Sequence, residues 1–214
     1  MFRIITGVPG SGKSFYAVNY LRKFCTYDPL YKSMNLDSEV LLVTNIEDVK
    51  IQHISFDAFR ENGLMNVENL KQFMIERRFK RCIMIVDEAQ RHFSNLKNEN
   101  ELFFFEYHRH LGIDVFLVLQ TVSALPRRVV ELSEYVIEAL PRSYAITGFR
   151  YKAKDSKTGQ TLYSIMIKKD LTVFQLYKSF DVDEMEKPKA VVLRKYALGI
   201  AVVLGSLALA VYFL

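Results

Sequence analysis

The stretch Gly7–Ser14, "GVPGSGKS", decides the fold. It satisfies the pattern G-x-x-x-x-G-K-[ST] at every fixed position. An apolar run, Phe2 to Thr6, precedes it, and a helical stretch from Lys13 to about Phe24 follows. Strand, glycine loop and helix in that order form a cradle for phosphate. Glycines at 7, 10 and 12 let the backbone curl so that its N–H groups converge on one anion. The helix adds its positive N-terminal end. Gly7, Val8, Pro9, Gly10, Ser11, Gly12, Lys13 and Ser14 are therefore candidate nucleotide-binding residues. Lys13 is expected to reach the β- and γ-phosphates of ATP, and Ser14 to offer its hydroxyl to Mg²⁺.

A glycine loop alone leaves kinases, GTPases and motor ATPases open. "RCIMIVDEAQRHF" (81–93) separates them: a buried strand that ends in two carboxylates, Asp87 and Glu88. On a parallel sheet that end lies beside the phosphates. Asp87 is expected to hold Mg²⁺, and Glu88 to orient and deprotonate an attacking water. A kinase excludes water and has no use for Glu88. "IDVFLVLQT" (113–121) reads as a further strand, inserted between the glycine-loop strand and the Asp87 strand. It would place Gln120 where a side chain can sense the γ-phosphate. "EVLLVTNI" (39–46) and "YVIEAL" (135–140) supply two more strands. Alternating strands and helices predict an α/β fold with a mostly parallel sheet covered on both faces, a P-loop NTPase of the additional-strand, catalytic-glutamate type.

Other segments read less directly. A helix after Asp87 should run to the opposite sheet edge and end at Gly112, which puts "HRH" (108–110) far from its own phosphates. Those three residues are expected to complement the helix C-terminus, with contact to a neighbouring subunit as the alternative. Arg127 and Arg128 follow Gln120 by a few residues. They are candidate arginine fingers acting across a subunit interface, with ordinary surface charge as the alternative. The run "LFFFEYH" (102–108) is expected to face the core. From 144 to 180, period-two alternation in "YAITGFRYKAK", "TLYSIMIKK" and "TVFQLYKSF" predicts an antiparallel meander within the same domain, 1–180. Its basic residues Arg150, Lys152, Lys154 and Lys168 are read as solvated, or as a surface for DNA, coat protein or membrane.

The C-terminal part changes character. Residues 181–196 form a charged linker, and 197–214, "ALGIAVVLGSLALAVYFL", contain no charge. Eighteen residues of helix span about 27 Å, close to the hydrocarbon thickness of a bilayer. A single transmembrane helix is expected there. Lys187, Lys189, Arg194 and Lys195 precede it, which keeps the N-terminal domain cytoplasmic. Ala197, Ala201 and Gly205 recur every four residues, a ridge on which helices approach closely, so a homo-oligomer is expected. The net charge of +5 is modest and by itself gives only weak support for nucleic acid. Cys25 and Cys82 lie far apart without metal-ligand spacing.

The order of "GVPGSGKS", "VTN" (43–45), "VDEAQ" (86–90), "HRHLGID" (108–114), "LQT" (119–121) and "LYKS" (176–179) before an apolar span resembles the Zot family over about residues 1–200. These are assembly ATPases of filamentous phages, also called gene I protein or zonular occludens toxin. The resemblance implies an inner-membrane ATPase that uses ATP and Mg²⁺ to extrude phage. Its implied partners are phage coat and assembly proteins, the inner membrane and phage single-stranded DNA. Gly7 to Ser14, Asp87 and Glu88 carry over as nucleotide-site residues. Family members usually continue past the span into an extracytoplasmic domain, to which the toxin activity attributed to one member belongs, so the resemblance does not carry a toxin function over to the present sequence. A cellular DNA translocase or secretion ATPase is the alternative enzyme. A scaffold that binds ATP without hydrolysing it is the alternative of another class, and Glu88 speaks against it.

Overall fold

In a computed structural model of the protein, residues 1–28, 33–96, 98–144 and 147–177 are described. The expected linker (181–196) and membrane span (197–214) lie outside the described residues. Among the described residues no helix is long and apolar enough to cross a membrane.

Among the described residues ten strands form in chain order: β1 (Phe2–Thr6), β2 (Cys25–Asp28), β3 (Ser33–Leu36), β4 (Val40–Thr44), β5 (Ile54–Ser55), β6 (Arg81–Val86), β7 (Ile113–Val118), β8 (Tyr135–Ala139), β9 (Gly148–Lys154) and β10 (Thr161–Lys168). The helices are α1 (Lys13–Leu21), α2 (Phe56–Glu61), α3 (Val67–Glu76), α4 (Gln90–Phe93), α5 (Glu99–Tyr107), α6 (Arg127–Leu132) and α7 (Leu171–Phe174). Eight strands make one sheet in the order β10-β9-β8-β1-β7-β6-β4-β5, and β2 with β3 forms a separate hairpin. From β8 to β5 all neighbours run parallel, whereas β8–β9 and β9–β10 are antiparallel. The strand of 113–121 does lie between the glycine-loop strand and the Asp87 strand.

The parallel strands are apolar at nearly every position because both faces are covered. Phe2, Ile4, Met84, Val86, Val115 and Leu117 point to one core with Phe56, Phe59, Leu70, Phe104 and Phe105. Ile5, Ile83, Ile85, Phe116 and Val118 point to the other with Phe15, Val18 and Leu21 of α1. Asn66 and Asn98 begin α3 and α5 by accepting backbone N–H bonds through their side chains.

Three expectations need correction. The helix foreseen between Asp87 and Gly112 is two, α4 and α5, because the Asn98 side chain starts a second helix by accepting from Asn100 N at 3.0 Å. The aromatic run is only partly core: Phe104 and Phe105 are buried, but Phe103 and Tyr107 are exposed and stack on each other. The stretch "TVFQLYKSF" begins as the short helix α7 and not as a third strand. Asp170 accepts from Thr172 N at 2.9 Å to start it. Val173, Leu176 and Tyr177 are then buried against the α1 side, at the three-and-four spacing of a helix and not at period two.

At the strand-start edge "HRH" packs structurally. His108 is buried, and its Nδ1 lies 2.6 Å from Phe105 O. Burial lowers its pKa. Arg109 pairs with Glu134 at 3.1 Å, and the His110 ring stacks on Tyr107. None of the three reaches the glycine loop in its own chain.

Candidate nucleotide site

Parallel strands place their C-terminal ends on one edge, and register decides which residues meet there. Ile5 lies beside Val118, Val86 beside Leu117, and Thr44 beside Ile85. The residues just past those ends, Gly7, Gln120, Asp87 and Asn45, therefore share that edge. Gly7 N donates to Gln120 O at 3.2 Å, and Ala89 N donates to Val118 O at 2.9 Å.

The loop is curled as the sequence predicts. Ser11 is buried and folds back on Val8, whose carbonyl accepts from Ser11 N at 3.3 Å and from Ser11 Oγ at 2.7 Å. Gly12 has φ 88, a left-handed conformation that few other residues tolerate. It caps α1 without offering a side-chain oxygen, so the first N–H groups of that helix face the loop without a side-chain acceptor from the cap. Lys13 Nζ bridges back to Val8 O at 3.2 Å.

The carboxylates follow at the end of β6. Ser14 Oγ donates to Asp87 Oδ2 at 2.7 Å. Two hard oxygens at hydrogen-bond distance, with phosphate and water to complete the shell, suit Mg²⁺, which prefers few protein ligands. Among the described residues no cluster of three or more His, Cys, Asp or Glu could hold a metal by itself. Glu88 has φ 48, unusual for a residue with a side chain, and Gln90 Nε2 donates to its carboxylate. Strain of this kind gathers at functional sites because the surroundings over-determine it.

Asn45 fixes the Asp87 backbone on both sides. Asp87 N donates to Asn45 Oδ1 at 2.6 Å, and Asn45 Nδ2 donates to Asp87 O at 2.8 Å. Asn45→Ala removes both partners and should cost about 1–3 kcal/mol of stability. Denaturant unfolding of the parent and variant chains checks this. An unchanged midpoint would mean that Asn45 does not hold the strand end.

The other candidates are more dispersed. Gln120 sits beside Gly7 with an exposed side chain. It lines a cleft of about 650 Å³ with Gly7, Val8, Pro9, Thr121, Glu138 and Lys154. Arg127 is almost fully exposed and pairs with Glu131 on its own helix, while Arg128 pairs with Glu106 of α5.

Sequence reasoning missed the residues that brace the loop from the antiparallel side. Arg142 Nε donates to Gly10 O at 2.8 Å, and Tyr151 Oη donates to Gly12 O at 2.9 Å. Burial pushes the Tyr151 phenol far above its ordinary pKa, so it remains a donor. The Phe149 ring lies against Gly12, where an added Cβ would come within 2.4 Å of it. Nothing local marks these residues, since the contacts exist only once β9 is docked. Asn45 and Gln90 did have a signal, as polar residues just past the ends of buried strands.

Solved structures share this architecture. The N-terminal domain of zonular occludens toxin from Neisseria meningitidis superposes with TM-score 0.57 at 21% identity, covering 83% of this chain and 98% of that one. The genome packaging NTPase B204 of Sulfolobus turreted icosahedral virus 2 in complex with ATP-gammaS gives 0.50 at 15% identity, covering 78% and 96%. The same NTPase in complex with AMPPCP gives 0.50 at 13%, covering 79% and 97%. At these identities the likeness is one of fold, an α/β architecture with a mostly parallel sheet resembling P-loop NTPases. No curated protein matches the chain. The family model described as zonular occludens toxin (Zot) matches residues 1–182, and the chain belongs to that family.

Proposed function

We propose that the protein is a membrane-anchored ATPase that couples hydrolysis to the assembly and extrusion of filamentous phage through the inner membrane. One observation supports the enzymatic part above all: the Ser14–Asp87 contact of 2.7 Å, made at the foot of the glycine loop, with Glu88 next in the chain. The loop N–H groups and Lys13 bind the β- and γ-phosphates of ATP. Ser14 and Asp87 would hold Mg²⁺, which when bound supplies neutralisation of phosphate charge. Glu88 orients a water and accepts its proton, through the carboxylate oxygen that Gln90 does not bond. Gln120, at the edge of β1 and β7, reads the γ-phosphate. Arg127 and Arg128 stand outward on α6, where their charge would act on a neighbouring subunit of a homo-oligomer and not on their own phosphates.

The phage assignment is supported by family membership. A cellular DNA translocase or secretion ATPase would use the same site. A non-hydrolysing scaffold would leave the strained Glu88 without a purpose. The test is complementation of a filamentous phage whose own copy of this gene is inactivated. The parent chain should restore extracellular particles, whereas Lys13→Ala should leave coat protein and single-stranded DNA inside the cell. Normal particle release with Lys13→Ala would contradict the reading.

A further inference from the structure

The β9–β10 hairpin has two unlike faces. Phe149, Tyr151 and Ala153 turn inward and pack with α1. Arg150, Lys152 and Lys154 alternate to the other side, where Met166 lies opposite Arg150 and Ser164 opposite Lys152. Lys168 continues that side along β10, and the irregularity between Thr161 and Tyr163 adds Leu162. Leu162 and Met166 are each more than half exposed, and Arg150 and Lys168 are exposed with them. Glu138, the acid opposite Lys152 on β8, is taken up by Lys154 at 3.0 Å. Arg150, Lys152 and Lys168 have no ion pair among the described residues.

Cations around exposed aliphatic side chains, on a sheet face with its one acid neutralised, suit a surface that is negative outside and apolar just beneath. We propose that this face rests on an anionic lipid surface, with Arg150, Lys152 and Lys168 against headgroup phosphates and Leu162 and Met166 in the interfacial layer. A nucleic acid would supply the phosphates but no counterpart for the aliphatic side chains. Nor does this face present an aromatic ring for base stacking, since Tyr163 lies opposite Ala153 and alternates to the inner side. The contact uses no residue of the nucleotide site and stands independently of it.

The test uses the full chain with Met166→Cys, carrying an environment-sensitive fluorophore, in a Cys25→Ser background. Cys82 is fully buried and its thiol pKa is raised, so it does not label. The chain is reconstituted identically into phosphatidylcholine vesicles with or without phosphatidylglycerol, so any association through residues 197–214 is common to both arms. A blue shift is expected only with the anionic lipid, and about 0.5 M salt should reverse it by screening. Each cation is worth about fivefold in affinity, so Arg150→Gln/Lys152→Gln/Lys168→Gln should weaken the lipid-dependent shift on the order of a hundredfold. Equal spectra in the two vesicle types would overturn the proposal. So would a shift produced only by a single-stranded oligonucleotide, or by raising protein concentration without lipid.

Discussion

Glu88→Gln should keep ATP binding and lose hydrolysis by about 10²–10⁴-fold, the usual worth of a positioned general base. The replacement is nearly isosteric and can still accept the hydrogen bond from Gln90, so the fold around β6 should be unchanged. The amide no longer takes a proton, and the attacking water stays neutral. Nucleotide affinity, set by the glycine loop and Lys13, should stay within a fewfold of the parent. Equilibrium binding of ATP and single-turnover hydrolysis separate the two effects. A variant that hydrolyses at the parent rate would remove Glu88 from the chemistry.

Gly12→Ala should be strongly damaging for so small a substitution. It forces a side chain onto φ 88 and brings its Cβ to 2.4 Å from the Phe149 ring. Backbone strain and overpacking together should cost about 2–4 kcal/mol. ATP affinity should fall with stability, because the same residue caps α1 beneath the phosphates. Adding Phe149→Ala separates the causes: the steric part is relieved and the strain at φ 88 remains. Denaturant midpoints and ATP titration of the single and double variants check this. A Gly12→Ala chain with parent stability would mean that β9 is not seated against the loop.

The parallel half of the fold could be read from the sequence because its determinants are local. A glycine loop between a strand and a helix, apolar runs of strand length, and the acidic end of "IMIVDE" each depend on a few neighbouring residues. Strand β7 was legible from its apolar run and its polar end at Gln120, and the sheet order places it beside β1 as expected. The antiparallel half was less legible. Strands β9 and β10 were foreseen as an antiparallel pair, whereas α7 depends on a tertiary seat for Val173, Leu176 and Tyr177. The hairpin of β2 and β3 was missed; β2 has no buried residue and no alternation of exposure along it. Of the candidate site, the meeting of Ser14 with Asp87 was readable, because the glycine loop and the acidic end of β6 have fixed places on a parallel sheet. Arg142, Phe149 and Tyr151 were not, since they meet the loop from more than 120 residues away.

In the proposed function, Gly7–Ser14, Asp87 and Glu88 form a working site for ATP hydrolysis. Phosphate release by the full chain with ATP and Mg²⁺, measured beside Lys13→Ala prepared in the same way, tests it most directly. The parent should turn over ATP, and both chelation of Mg²⁺ and Lys13→Ala should abolish the release. Phosphate release that is equal in the parent and in Lys13→Ala would contradict the claim.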